Sequence, residues 1–256
     1  MSTKGIWGAC SICGSHARLT FEHVPPRRAF NNRPVVYQKL QDIIGTDEEM
    51  NLTKGRVSQK GVGEYTLCAQ CNNATGSWYG SSFVDWAYQG LNLILMSRGT
   101  NVLYLTFHIF PLRVIKQIVC MFCSIHGTGW ADEEMQEFLL VRERRNLPGK
   151  WRLFVYFNTS PHLRQTGIVV RGSPCGMNCF SELAFPPFGY VITKEEMPPD
   201  KRLQDITFFS RFSFNDWKQI SLKLPLLPVA SWIPADYRTK DELEKDVAKN
   251  KQSKSE

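Results

Sequence analysis

The chain has 256 residues, 43 % of them hydrophobic and 12 % aromatic, and carries a formal net charge of +7. This composition excludes a globally disordered chain and provides for one large domain or two small ones. No apolar run reaches the ~18 residues that a membrane-spanning helix needs. The opening Met1-Ser-Thr-Lys-Gly lacks a basic-then-apolar leader pattern, so a cytoplasmic protein with no membrane partner is expected. The charge suits a polyanionic partner, though only weakly. Eight cysteines in a reducing compartment point to metal ligation or burial rather than to a disulfide framework.

In chain order, Cys10-x-x-Cys13 comes first, followed by Gly14, the residue a tight knuckle turn wants. Arg18-Leu-Thr-Phe21 reads as a short strand that runs into Glu22-His23 and stops at Pro25-Pro26, because proline cannot donate to a ladder. On such a strand Glu22 and His23 point to opposite faces. The chain from 29 to 61 is an insertion, expected to be partly helical around Val36–Ile44, with a loop bearing Lys54, Arg56 and Lys60. Glu64-Tyr-Thr-Leu67 is a second strand, leading to Cys68-x-x-Cys71, then Asn72-Asn73, then a helix whose apolar face repeats from Phe83 to Met96.

Two Cys-x-x-Cys pairs supply four soft thiolates, the closed tetrahedral set of a structural zinc; two unrelated buried pairs are the plain alternative. Strand, strand and helix around such a zinc, with Glu-His on the first strand and Asn opening the helix, resemble the HNH (ββα-metal) endonuclease superfamily. The resemblance covers about residues 8–90, in the variety C-x-x-C … Thr-x-Glu-His-x-Pro-Pro … C-x-x-C-Asn-Asn. It implies that His23 is the general base. It implies that Glu22 and Asn72, with Asn73 as substitute, hold a divalent ion such as Mg²⁺ or Mn²⁺ against the scissile phosphate. It also implies Zn²⁺ on Cys10, Cys13, Cys68 and Cys71. A histidine with an ordinary pKa near 6.5 suits proton abstraction at neutral pH. Arg27 and Arg28 are candidate phosphate clamps, and Lys54 and Arg56 are further candidate nucleic-acid contacts. The family's middle Asn lies nine residues before its last motif position, where this chain has Gly63. Glu64, Asn51 or a backbone carbonyl is left to orient the base.

Beyond Gly99, Val102–Ile109 reads as a buried strand and Pro111 as the first residue of a helix that carries Cys120-x-x-Cys123. These two cysteines with Cys175 and Cys179 allow a second thiolate site, but their apolar flanks favour plain burial. His108, His126 and His162 each stand alone and read as structural. Asp132 begins a short helix with acid in its first turn. From Trp151 the period changes to two. Arg152–Phe157, Gly167–Arg171, Asn178–Phe185, Gly189–Thr193, Ile206–Phe214 and Lys218–Leu224 are strand candidates for an antiparallel sheet. A charged tail begins at Thr239.

The expected class is α+β: a zinc-stapled ββα-metal module over 1–98, a helical segment and antiparallel-sheet body over 99–238, and a charged tail over 239–256. The expected function is metal-dependent hydrolysis of DNA phosphodiester bonds, RNA not excluded. By resemblance, a restriction, mobile-element or phage-defence setting would suit it. The body would serve a protein partner or a homodimer. The alternative is a catalytically silent zinc-stapled adaptor for nucleic acid or protein. A small-molecule enzyme in the aromatic-rich body has no motif to support it.

Overall fold

The computed structural model describes residues 5–39, 55–97, 102–160, 163–173, 176–195 and 197–252. The fold is mixed α/β, and its sheets are antiparallel. Among the described residues it divides into two compact units, to each of which the chain contributes three times. The first draws on the chain up to Tyr88, on His108–Lys150 and on Thr207–Gln219. The second draws on Gln89–Phe107, on Trp151–Ile206 and on the chain from Ile220 onward.

In the first unit, β1 (Trp7–Ala9), β2 (His16–His23) and β5 (Gly63–Cys68) form a sheet in the order β1-β2-β5. β3 (Val35–Tyr37) and β4 (Arg56–Ser58) make a separate hairpin. The helix expected around Val36–Ile44 is therefore replaced by a strand at Val35–Tyr37, which finds its partner at Arg56–Ser58; 40–44 lie outside the described residues. Strand pairing across the insertion outweighs local helical pattern here.

β5 runs directly into α1 (Ala69–Thr75), a π turn (Gly76–Gly80) and α2 (Ser81–Met96). Phe83 and Trp86 of α2 are buried, and Trp86 meets Phe209 edge to face. α3 (Pro111–His126) begins with proline at its first turn and is buried on nearly every side. Tyr79 donates to the Leu139 carbonyl at 2.7 Å, tying the π turn to α4 (Glu133–Leu140), whose N-cap Asp132 accepts from Met135 N–H at 2.9 Å. Ile206–Phe214, expected as a strand, contains a 3₁₀ turn at Thr207–Arg211. Its neighbouring phenylalanines do not alternate faces: Phe209 is buried, while Phe208 is half-buried and packs on Phe212.

The second unit is built on the sheet β11-β7-β10-β9-β8. Its strands are β7 (Trp151–Phe157), β8 (Arg164–Ser173), β9 (Gly176–Phe185), β10 (Phe188–Lys194) and β11 (Gln204–Asp205). β6 (Val102–Ile109) pairs with β12 (Lys218–Pro225). β6 is not buried throughout, since Tyr104 is exposed while Phe107 is enclosed. Inside the unit, Arg164 donates to Glu182 at 2.8 Å with both side chains buried. Arg164 also holds the carbonyls of Ser231, Ile233 and Asp236. Tyr156 donates to the same Glu182 oxygen, so the charge pair is enclosed in hydrogen bonds, as burial requires. α5 (Lys240–Gln252) follows. Among the described residues no helix is long and apolar enough to cross a membrane.

Candidate metal centre and adjoining cleft

The Sγ atoms of Cys10, Cys13, Cys68 and Cys71 all lie within 4.8 Å of one another. Tetrahedral zinc at about 2.3 Å from each sulfur needs Sγ atoms about 3.8 Å apart, and Cys13 and Cys68 stand at 3.9 Å. Local backbone rules build the cluster. After β1 the chain turns so that Gly14 N–H reaches the Cys10 carbonyl at 2.9 Å, with Gly14 at φ +70°, where a side chain would strain. Cys68 caps α1, its sulfur accepting from Cys71 N–H at 3.4 Å. Ser11 N–H bonds the Thr66 carbonyl, which fastens the first knuckle to β5. Without a cation the thiols share protons unequally: a hydrogen bond with Cys71 holds Cys10 down to about 4, and the same bond pushes Cys71 upward. The four cysteines can hold a metal ion such as zinc.

Cys120 and Cys123 do not join a metal-capable cluster among the described residues. Both are buried, and burial pushes their thiols up. Cys179 sits on β9, and Cys175 lies outside the described residues.

A cleft of about 370 Å³ opens beside this cluster, lined by Phe21, Glu22, His23, Pro26, Arg27, Arg28, Asn72, Gly76, Gly80, Ser81, Val84 and Gln117. Glu22 and His23 alternate in burial along the strand, yet both reach the cleft. Among the described residues β1 pairs with His16–Arg18, and farther along β2 the Phe21 carbonyl meets the Asn72 amide. A cleft on a strand edge meets side chains from both faces.

His23 Nε2 lies 3.0 Å from the Lys60 carbonyl oxygen. A carbonyl only accepts, so Nε2 carries the proton and Nδ1 keeps its lone pair. Burial is the main cause that lowers the His23 pKa, and the Arg27 and Lys60 charges add to it. The balance favours the neutral imidazole, although the bond to the Lys60 carbonyl opposes it. Of the three candidates for orienting the base, the backbone carbonyl has the contact. Glu64 instead pairs with Arg56 at 2.9 Å, and Asn51 lies outside the described residues.

Asn72 Nδ2 donates to Thr20 Oγ1 at 2.9 Å and leans on the Phe21 carbonyl at 3.4 Å. Thr20 spends its own proton on the Leu67 carbonyl, so its oxygen must accept from Asn72. That fixes the amide and leaves Asn72 Oδ1 for the cleft. Glu22 is 9 % exposed, and burial pushes its carboxyl up to about 7. Among the described residues no ion pair or hydrogen bond engages it. An orphaned buried carboxyl beside a free amide oxygen fits a hard, oxygen-seeking divalent cation. Asn73 is exposed on α1 and does not line the cleft.

Arg27 and Arg28 are exposed at the cleft wall. Arg56 is turned elsewhere, bonded to Glu64 and lying over the Tyr37 ring. Lys54 lies outside the described residues. Two residues here carry no sequence motif: Gln117, which lines the cleft, and Asn31. Asn31, 1 % exposed, donates to the carbonyls of Pro25 and Val62 and accepts from Val62 N–H, each at 2.7 Å. It clamps the turn after His23 to the segment whose Lys60 carbonyl holds His23. Its only sequence signal was an Asn after a proline turn. Comparisons of the chain with family models, curated proteins and solved structures return no match.

Proposed function

We propose that the chain is a metal-dependent endonuclease of the HNH type that hydrolyses DNA phosphodiester bonds. The observation that carries this reading is one cleft holding a neutral, backbone-oriented histidine, an unpaired carboxyl, a fixed amide oxygen and two arginines beside a tetracysteine cluster. His23 Nδ1 takes the proton of the attacking water while Nε2–H stays on the Lys60 carbonyl, which steadies the ring as it becomes charged. Arg27 and Arg28 hold the phosphate oxygens. Glu22 and Asn72 Oδ1 are the residues that would hold Mg²⁺, Mn²⁺ or a similar ion. Such an ion supplies Lewis-acid relief of charge on the phosphate. Zinc on the four cysteines would fix the turn after β1 to the start of α1. A restriction, mobile-element or phage-defence role belongs to the same proposal.

Gly63 in the place of the middle Asn favours a rival reading, a catalytically silent adaptor. The Lys60 carbonyl and the Asn31 clamp supply an orienting device for the base and weaken that reading. Plasmid cleavage with Mg²⁺, Mn²⁺ or Ni²⁺ is the test, using wild type and His23→Ala of equal zinc content. Cutting by the wild type alone is expected. Equal cutting by both proteins would remove His23 from the chemistry, and no cutting by either would favour the adaptor.

A further inference from the structure

α3 lies outside the 8–90 stretch, yet one of its side chains belongs to the cleft. Gln117 is 2 % exposed, lines the cleft with Glu22 and Asn72, and its buried Oε1 has no hydrogen-bond partner among the described residues. A buried acceptor left without a partner is destabilising, so its retention asks for a ligand that the protein does not itself provide. Gly76 and Gly80 of the π turn line the same cleft, and a Cβ at Gly80 would stand 4.0 Å from this oxygen, an ordinary contact distance. π turns inside α-helices gather at functional sites.

We propose that Gln117 supplies a third protein oxygen to the divalent ion held by Glu22 and Asn72. This inference rests on the endonuclease reading of the cleft. The chemistry of the set is consistent: one carboxylate and two amide oxygens coordinate a hard cation. The amides add ligands without adding negative charge, so the site does not repel a phosphate.

The test is Mn²⁺ affinity of the zinc-loaded full chain, read by electron paramagnetic resonance, for wild type, Glu22→Gln, Gln117→Leu and Gln117→Glu. Gln117→Leu keeps the size of the side chain and removes the oxygen; a rise of about tenfold or more in Kd is expected. Gln117→Glu returns an oxygen with charge and should bind Mn²⁺ more tightly than wild type. If Gln117→Leu binds like wild type while Glu22→Gln has lost the ion, Gln117 is outside the shell and the inference falls, with the endonuclease reading intact. If wild type does not bind Mn²⁺, or Glu22→Gln binds as well as wild type, the ion site itself is wrong and both readings fall together. Should Gln117→Leu lose its zinc or its fold, Gln117→Glu decides: tighter binding supports the inference and unchanged affinity overturns it.

Discussion

His23 donates through Nε2 to the main-chain oxygen of Lys60 at 3.0 Å, across 37 residues of sequence. The bond selects the tautomer, aims the ring, and makes a loop responsible for holding His23. The loop must then be held by something else.

Asn31 does this, so Asn31→Ala should cost both stability and rate. The substitution strips the Pro25 carbonyl and the Val62 N–H of buried partners, a loss of about 2–4 kcal/mol in urea unfolding. At a temperature where the variant is still folded, plasmid nicking should fall by about 10²-fold, the scale of a misplaced catalytic group. Asn31→Asp keeps the acceptor for Val62 and should lie between the two. Normal nicking by a destabilised Asn31→Ala would mean that the clamp serves the fold alone.

Glu22 gives a pH signature. Its folded-state pKa is raised to about 7 from an ordinary 4.5. The ion-free native state therefore binds more protons than the unfolded chain between those values, and stability must fall as pH rises from 4.5 through 7. The loss amounts to about 3 kcal/mol above pH 7. Glu22→Gln should abolish that slope and be the more stable protein at pH 8 without added cation. Millimolar Mn²⁺ should reverse the order by stabilising only the wild type. Thermal melts at pH 5 and pH 8, with and without Mn²⁺, read all four corners.

The tetracysteine cluster predicts about one zinc per chain by elemental analysis. Cys71→Ser should lose that zinc and lower the melting temperature. A strong chelator should do the same to the wild type, because folding supplies the site and the metal returns the stabilisation. Retention of stoichiometric zinc by Cys71→Ser would remove this cysteine from the ligand set.

The elements that could be read from the sequence are those whose causes are local. Cys-x-x-Cys spacing, the stop at Pro25, Pro111 at a helix start and the period of two after Trp151 all act within a few residues, and each has its counterpart in the structure. The parts that could not be read depend on distant partners. Val35–Tyr37 becomes a strand only because Arg56–Ser58 lies opposite. Thr207–Arg211 coils into a 3₁₀ turn, with Phe209 against Trp86. Asn31 clamps Val62 from 31 residues away, and Gln117 lines the cleft from a helix beyond the motif. No periodicity marks either one.

The π turn at Gly76–Gly80 has a geometric consequence for the helix that contains it. An extra residue in a helical turn offsets all that follows by about 100° relative to a uniform α-helix. Asn72 precedes the offset and addresses Thr20; Phe83 and Trp86 follow it and address the core. One continuous helix thus runs in two phases, so its cleft-lining edge and its packing seam answer to separate geometric demands.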